Sequence, residues 1–286
     1  MEAMTVQSSD MGTSVEYQRE GGIVTLTLNR PRLRNAINSQ LQASLRARLE
    51  EVRAQRDVSV VLLTGAGSSF CAGGDVNAMG ERAEAEPGTI AEEGWRRQHA
   101  LHETLSELHS LDKVTIAAVN GPAMGLGCDL ALCCDFVVAG PNARFAMSYI
   151  RRGLFPDGGG IHFLPRRVGL AKAKELVFSG REVDAGEAIA LGMADRVTSA
   201  TPMLDEVREW AQQFVGGSPI AIGLAKLALN ETFERSLKST FDSGATAQAI
   251  CYTSREHQGA VRAYLADRAR RETSETAGTV ARSQAP

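Results

Sequence analysis

The chain has few cysteines and no arrangement that would pair them. The five cysteines are odd in number, lie mostly inside apolar runs and include no Cys-x-x-Cys pair. This pattern is typical of buried thiols in a reducing compartment and excludes a disulfide framework. His99 and His102 have no carboxylate or thiol at the spacing of metal ligands, so the sequence predicts no metal site.

Long apolar runs and an excess of one charge are absent as well. No apolar run approaches the ~20 residues that span a bilayer, and residues 1–14 lack the charged-then-apolar pattern of a signal peptide. With 31 basic and 34 acidic side chains the net charge is −3, whereas nucleic-acid-binding proteins usually have a basic patch and a high pI. We therefore predict a cytoplasmic protein with neither a nucleic-acid nor a membrane partner.

The composition that remains is that of a soluble protein with a sizeable core, since 43% of the residues are hydrophobic and 23% charged. The alternating segment Ile23–Leu28 predicts a half-buried strand. Short continuous apolar runs separated by helical patterns predict buried parallel strands at 58–63, 114–119 and 136–139. The predicted fold class is therefore α/β.

The pattern of apolar and polar residues also changes along the chain. From about residue 171 to 271 the pattern is helical, and the segment after it is rich in Ser, Thr and Ala. We divide the chain into a flexible lead-in (1–14), an α/β core (15–200), a C-terminal helical region (201–271) and a tail predicted to be disordered (272–286).

Two loops, Ser69–Val76 and Val119–Asp129, are rich in glycine, and each follows a predicted buried strand. Glycine lets a ligand approach main-chain N–H groups closely, and the start of a helix strengthens those donors. Loops after neighbouring parallel strands could aim two N–H groups at one oxygen, which is an oxyanion hole. The first loop lacks the Gly-Lys-Ser/Thr ending of a phosphate cradle. Taken singly, each loop is equally compatible with a flexible turn.

Several further motifs accompany these loops in a fixed order. They are Leu28-Asn29-Arg30-Pro31 with Asn35-Ala36, Phe70-Cys71-Ala72-Gly73-Gly74-Asp75, Ala117-Ala118-Val119-Asn120-Gly121, Gly125–Asp129 with Cys134-Asp135, Phe155-Pro156-Asp157-Gly158-Gly159, Leu164-Pro165-Arg166-Arg167-Val168-Gly169, Gly192-Met193-Ala194-Asp195-Arg196-Val197 and Ser254-Arg255-Glu256-His257-Gln258-Gly259. In this order, over about residues 15–268, the chain resembles the enoyl-CoA hydratase/isomerase superfamily, the crotonases. The resemblance implies a spiral of ββα units closed by C-terminal helices, and a homotrimer or a dimer of trimers.

The same resemblance implies an acyl-CoA thioester as the substrate and no other cofactor. It places the two oxyanion-hole N–H groups at Gly74 and Leu126, where they would hold the thioester carbonyl oxygen as it becomes an enolate. For Arg34 a solvated loop cation is an equal alternative to CoA binding. The residues that the resemblance assigns to the CoA moiety are Arg34, Asn35, Ala36, Ala72, Gly73, Asp75, Tyr264 and Arg268.

The acid/base positions depart from the family pattern. Where the hydratases of the family have two glutamates, this chain has Asp129 and Tyr149. The apolar neighbours of Asp129 predict a buried acid with a perturbed pKa, or a structural acid with its own donor. A phenol is a poor base near neutral pH, so Tyr149 argues against the usual hydratase mechanism. Asp157 stands where dienoyl-CoA isomerases and other branches have a catalytic aspartate, although aspartate is also favoured in turns.

These positions favour the isomerisation of a double bond in an unsaturated acyl-CoA. Asp157 and Asp129 would transfer protons and Tyr149 would shape the pocket. Hydration by a water held between the two aspartates is the alternative. Further alternatives are a CoA-thioester hydrolase or dehalogenase with Asp157 as nucleophile, and a non-catalytic acyl-CoA binder. The sequence leaves the acyl group open.

Overall fold

The computed structural model describes residues 14–83, 87–199 and 202–283, with side chains described over 14–80, 88–199 and 202–271. It contains two compact units whose boundary lies between Gly216 and Gly217. No helix in the described ranges combines the length and the apolar character that crossing a membrane requires.

The first unit is built on a sheet of six strands in the order β1-β2-β3-β4-β6-β9, beside a small sheet in the order β5-β7-β8. Strands β1 and β2 are antiparallel, and the other neighbours in the large sheet are parallel. The strands are β1 (Val15–Glu20), β2 (Ile23–Leu28), β3 (Val60–Gly65), β4 (Val114–Val119), β5 (Pro122–Met124), β6 (Phe136–Ala139), β7 (Arg144–Ala146), β8 (Val183–Asp184) and β9 (Arg196–Val197).

Helices connect these strands, as the alternation of apolar runs and helical patterns predicts. Helix α1 begins after Asn38, whose side chain accepts a hydrogen bond from the N–H of Leu41 and so caps the helix. The helices of this unit are α1 (Ser39–Ala54), α2 (Val76–Ala83), α3 (Pro87–His109), α4 (Leu126–Leu132), α5 (Gly160–Val168), α6 (Leu170–Ser179), α7 (Ala185–Leu191) and α8 (Met203–Ala211), with short 3₁₀ helices at Pro31–Leu33, Ser148–Arg152 and Gln212–Phe214.

The buried strands β3 and β4 agree with the sequence prediction, since all six residues of each are buried. Strand β2 differs, because it is buried on both faces rather than on one. Residues of α8 and the 3₁₀ helix after it pack against the large sheet, with the rings of Trp210 and Phe214 each 5.3 Å from that of Phe136 on β6. The sequence places the boundary of the core at 200, whereas α8 belongs to the first unit because it buries its apolar face there.

The second unit consists of the helices α9 (Pro219–Asn230), α10 (Leu237–Thr253) and α11 (Arg255–Ser283). Serine side chains cap the first two, Ser218 on the N–H of Ala221 and Ser236 on the N–H of Ser239. Helix α11 runs into the tail that the sequence predicts to be disordered from residue 272. It continues because no proline follows Pro219 until Pro286, and because extending an existing helix needs no new nucleus.

Candidate functional site

The two glycine-rich loops lie side by side. The N–H of Cys71 donates to the carbonyl of Pro122 at 3.0 Å, and the N–H of Met124 donates back to Cys71 at 2.9 Å. A cleft of about 950 Å³ opens beside them and is lined by both Gly74 and Leu126. The structure therefore brings together the two positions that the sequence predicts for an oxyanion hole.

Backbone geometry explains the glycines in these loops. Gly73 has a φ of +94°, and a Cβ there would lie 2.6 Å from the carbonyl oxygen of Met124. Gly125, with a φ of +52°, precedes Leu126 at the first turn of α4. Within the part of the chain that the structure describes, the N–H groups of Gly74 and Leu126 donate to no other main-chain group. Both donors are therefore available to an oxygen bound in the cleft.

Asp129 and Tyr149 form a hydrogen-bonded pair beneath the cleft. The Tyr149 hydroxyl donates to Oδ2 of Asp129 at 2.5 Å. Oδ1 of Asp129 is buried and has no hydrogen-bond partner among the described residues. Burial raises the pKa of Asp129 to about 7, and the nearby charge of Asp157 contributes to this shift, whereas the hydrogen bonds from Tyr149 and Gly158 oppose it. Burial together with the Asp129 charge raises the pKa of Tyr149 as well.

This burial corrects one prediction. The sequence assigns Asp129 direct proton transfer with the substrate, but its exposed fraction is 0% and it does not line the cleft. The carboxyl group lies under Tyr149, which does line the cleft. The donor that a structural acid at this position would need is the Tyr149 hydroxyl. The Asp129 carboxylate thus contacts the Tyr149 hydroxyl rather than the cleft, and its part in proton transfer stays a prediction.

The turn that covers Asp129 requires glycine. A Cβ at Gly158 or at Gly160 would overlap the Asp129 carboxylate, and at Gly160 it would also overlap the end of Met147. Asp157 immediately precedes this turn, is half-buried and lines the cleft. The turn thus places Asp157 on the cleft wall while its glycines close over Asp129.

We expect Gly160→Ala to destabilise the protein by about 1–3 kcal/mol, because the new methyl group displaces Asp129 or Met147 from a packed site. The free energy of unfolding in urea measures the effect. Gly88→Ala is the matched control, because a Cβ at Gly88 would have nothing within 4 Å. Equal stability of the two variants would contradict the packing described for this turn.

Among the residues predicted to bind CoA, Asn35 and Asp75 have contacts within the protein. The Asn35 side chain is buried, donates to the carbonyls of Ala66 and Ser69 at 2.9 and 2.8 Å, and accepts from the N–H of Arg30. These bonds hold the backbone of Asn35 at a φ of +58°. The Asn35 amide is thus committed to the loop itself, and CoA binding along this segment stays a prediction.

The carboxylate of Asp75 lies 2.9 Å from Arg30. Burial alone would raise the pKa of Asp75, but the hydrogen bonds from Arg30 and from the N–H of Asn77 outweigh it, so the pKa lies below its ordinary value. Asp75 lines the cleft as an ion-paired group. The backbones of Arg34 and Ala72 adjoin, since the N–H of Ala72 donates to the Arg34 carbonyl at 2.9 Å.

The remaining residues that the sequence predicts to bind CoA lie in several parts of the structure. Ala36 is buried, and Gly73 adjoins the second loop. None of the residues 34–36, 72 or 73 lines the cleft. Tyr264 and Arg268 lie on α11 in the second unit, and their part in binding the nucleotide stays a prediction.

The cleft wall also contains residues that sequence reasoning missed. Arg97 and Leu101, one helical turn apart on α3, both line it, and helical periodicity could have identified this shared face. In the described ranges no group of three His, Cys, Asp or Glu side chains is placed to hold a metal ion. Other lining residues include Ile37, Asn38, Gln42, Val76, Met79, Ile90, Gln98, Arg152, Leu154 and Phe155.

Comparison with known proteins places this chain in a family. A family model described as enoyl-CoA hydratase/isomerase matches residues 18–271. The chain is 32% identical to the short-chain-enoyl-CoA hydratase of Clostridium acetobutylicum over 259 residues, 89% of this chain and 95% of that protein. It is 34% identical to the 1,2-epoxyphenylacetyl-CoA isomerase of Escherichia coli over 249 residues, 87% of this chain and 94% of that protein.

The fold agrees with these relatives. A crystal structure of an enoyl-CoA hydratase/isomerase from Cupriavidus metallidurans CH34 superposes with a TM-score of 0.81 at 34% identity, covering 89% of this chain and 94% of that one. The fold class predicted from the sequence is thereby confirmed. The chain belongs to the enoyl-CoA hydratase/isomerase family, the crotonases, and is an enzyme that processes acyl-CoA thioesters.

Proposed function

We propose that this enzyme moves a double bond within an unsaturated acyl-CoA. The observation that carries the proposal is the set of groups along one cleft: two N–H groups without main-chain partners at Gly74 and Leu126, and the carboxylate of Asp157. The N–H groups would stabilise the enolate that forms when a proton leaves the carbon next to the thioester. Asp157 would take that proton as the general base.

Tyr149 is the second proton-transfer group of this proposal. Its hydroxyl would give a proton to the far carbon of the dienolate after the 2.5 Å hydrogen bond to Asp129 is reversed, so that a protonated Asp129 donates to the phenolic oxygen and replaces that proton. Asp129 is then a positioning residue that acts through Tyr149. Its pKa of about 7 keeps a large part of the carboxyl groups protonated near neutral pH. Solvent exchange restores the protonation of both aspartates between turnovers.

Hydration is the second candidate, since hydratase names are more frequent than isomerase names among the relatives. A hydratase with two carboxylates around one water needs both of them on the cleft. Here Asp129 is fully buried and Asp75 is ion-paired to Arg30. Asp157 therefore remains as the carboxylate on the cleft that could hold a water. This distribution of carboxylates favours isomerisation over hydration.

We expect Tyr149→Phe to lower kcat about tenfold, because the barrier loses one hydrogen-bonding group worth about 1.4 kcal/mol. Asp157 could still return the proton that it removed, so the product should retain more of the substrate's own hydrogen. Mass spectrometry of the product formed in D₂O measures this retention. Tyr17→Phe is the matched control, because its hydroxyl bonds Gln55 away from the cleft. Unchanged deuterium content in Tyr149→Phe would refute the role of Tyr149.

The proposal also covers where the CoA moiety binds and how subunits assemble. We place the CoA moiety along the adjoining backbones of Arg34 and Ala72. A homotrimer or dimer of trimers would bury apolar side chains of α10 that are exposed in the single chain, such as Leu237 and Phe241. The mass of the protein in solution, measured by light scattering, tests this assembly.

A further inference from the structure

Two arginines on the cleft wall have no role in the proposed reaction. Arg97 lies on α3, and Arg152 is the last residue of the 3₁₀ helix Ser148–Arg152. Both line the same cleft as Asp157. Over the described side chains, neither makes an ion pair or a side-chain hydrogen bond. Several other arginines of the first unit form ion pairs, namely Arg19, Arg30, Arg46, Arg48, Arg167, Arg181 and Arg208, whereas others outside the cleft lining, such as Arg34 and Arg151, form none among the described side chains.

Helical geometry connects each arginine with the interior of the cleft. Side chains three residues apart eclipse one another in a 3₁₀ helix, so Arg152 lies on the same face as Tyr149. Side chains four residues apart share a face of an α-helix, so Arg97 lies beside Leu101, which is 7% exposed. Both guanidinium groups therefore belong to walls that also contribute buried residues to the cleft.

The charges along the cleft do not balance within the protein. Its carboxylates are Asp75, which Arg30 already neutralises at 2.9 Å, and Asp157, which the proposed reaction uses for proton transfer. The cleft wall thus carries two arginines and, besides the ion-paired Asp75, a single carboxylate, that of Asp157. A guanidinium group binds a carboxylate through paired, charge-assisted hydrogen bonds, so this wall suits a ligand that carries a further negative charge.

The position of the cleft indicates where on the ligand that charge lies. Of the first-unit residues predicted to bind the CoA moiety, 34–36, 72 and 73 do not line it and Asp75 does, whereas the groups of the proposed reaction, at Gly74, Leu126 and Asp157, all line it. The cleft therefore extends from the thioester carbonyl along the acyl chain. Apolar side chains such as Ile90, Leu154 and Phe155 also line it and would contact methylene groups.

We infer that the acyl chain of the substrate ends in a carboxylate, which Arg97 and Arg152 bind at the far side of the cleft. The inference rests on the proposed function, which places the thioester carbonyl at Gly74 and Leu126. The substrate class is then the ω-carboxyacyl-CoA thioesters. An uncharged acyl chain of equal length would bring no anion to either arginine.

The test compares two saturated thioesters of equal chain length, adipoyl-CoA and hexanoyl-CoA, by isothermal titration calorimetry. Neither can be isomerised, so binding is measured without turnover. We expect adipoyl-CoA to bind at least about tenfold more tightly, as charge-assisted hydrogen bonds allow. Arg97→Gln and Arg152→Gln should remove most of this preference and leave hexanoyl-CoA binding unchanged. Arg96→Gln is the matched control, since Arg96 pairs with Glu92 and does not line the cleft.

Two results would overturn the inference. Equal affinities for the two thioesters in the unaltered protein would show that the cleft does not recognise a terminal carboxylate. Equal weakening of adipoyl-CoA, hexanoyl-CoA and free CoA in the arginine variants would show that these side chains bind the CoA phosphates. A preference for adipoyl-CoA without isomerisation of unsaturated ω-carboxyacyl-CoA would support the inference while the proposed reaction fails.

Discussion

Asp157→Asn is expected to lower kcat for the isomerisation of a 3-enoyl-CoA by about 10²- to 10⁴-fold, the usual contribution of a general base. The reason is the distribution of carboxylates along the cleft. Asp157 lines it, Asp75 is paired with Arg30, and Asp129 is buried under Tyr149. An amide at position 157 keeps the shape of the side chain but cannot accept a proton from carbon.

The control for Asp157→Asn is its affinity for an acyl-CoA that cannot react. The affinity for a saturated acyl-CoA should change little, because the proposed contacts to the thioester oxygen are the N–H groups of Gly74 and Leu126. Loss of turnover with intact binding would separate an enzyme that uses Asp157 from a non-catalytic acyl-CoA binder. Full activity in Asp157→Asn would contradict the role of Asp157 as the base.

Asp129→Asn is expected to be more stable than the unaltered protein at pH 8 and to lose this advantage as the pH falls. The folded-state pKa of Asp129, about 7, lies above its ordinary value of 3.8. Between these two pH values the unfolded chain releases the proton while the folded chain retains it, so the contribution of Asp129 to stability falls as the pH rises. For a pKa difference of about three units, the contribution of Asp129 to the free energy of unfolding changes by at most about 4 kcal/mol.

Urea unfolding of both proteins at pH 5 and pH 8 measures this difference. Asp205→Asn is the matched substitution, because Asp205 is an exposed aspartate outside the cleft, and it should change the free energy of unfolding by less than about 0.5 kcal/mol. The stabilised Asp129→Asn variant should also show a shifted pH profile of kcat, because an amide at position 129 cannot supply a proton to Tyr149. A constant difference in stability between pH 5 and pH 8 would contradict the elevated pKa.

Much of the site follows from the sequence because its geometry is local. Glycines after buried strands predict the two loops, and the hydrogen bonds between Cys71 and its neighbours in the second loop agree with the prediction that the loops lie together. The apolar neighbours of Asp129 predict a buried acid with a perturbed pKa, and its exposed fraction of 0% agrees. These features can be predicted because the spacing of apolar residues along the sequence and the residue types largely determine which side chains are buried.

Contacts between distant segments were harder to predict. The sequence does not reveal that Tyr149 lies between Asp129 and the cleft, because the two residues are twenty positions apart and meet only through the packing of α4 against the small sheet. It also does not show that the Asn35 amide is occupied by carbonyls some thirty residues away. The boundary at residue 216 likewise depends on α8 packing against the sheet, which helical periodicity alone cannot specify.

The most direct test of the central claim is a ¹H NMR time course with 3-enoyl-CoA in D₂O, using a substrate with a terminal carboxylate and its uncharged analogue. We expect that the double bond moves into conjugation with the thioester, that solvent deuterium enters the product, and that no 3-hydroxyacyl-CoA accumulates. A 3-hydroxyacyl-CoA formed from the 2-enoyl-CoA at a rate equal to or above the isomerisation would contradict the account and identify the enzyme as a hydratase.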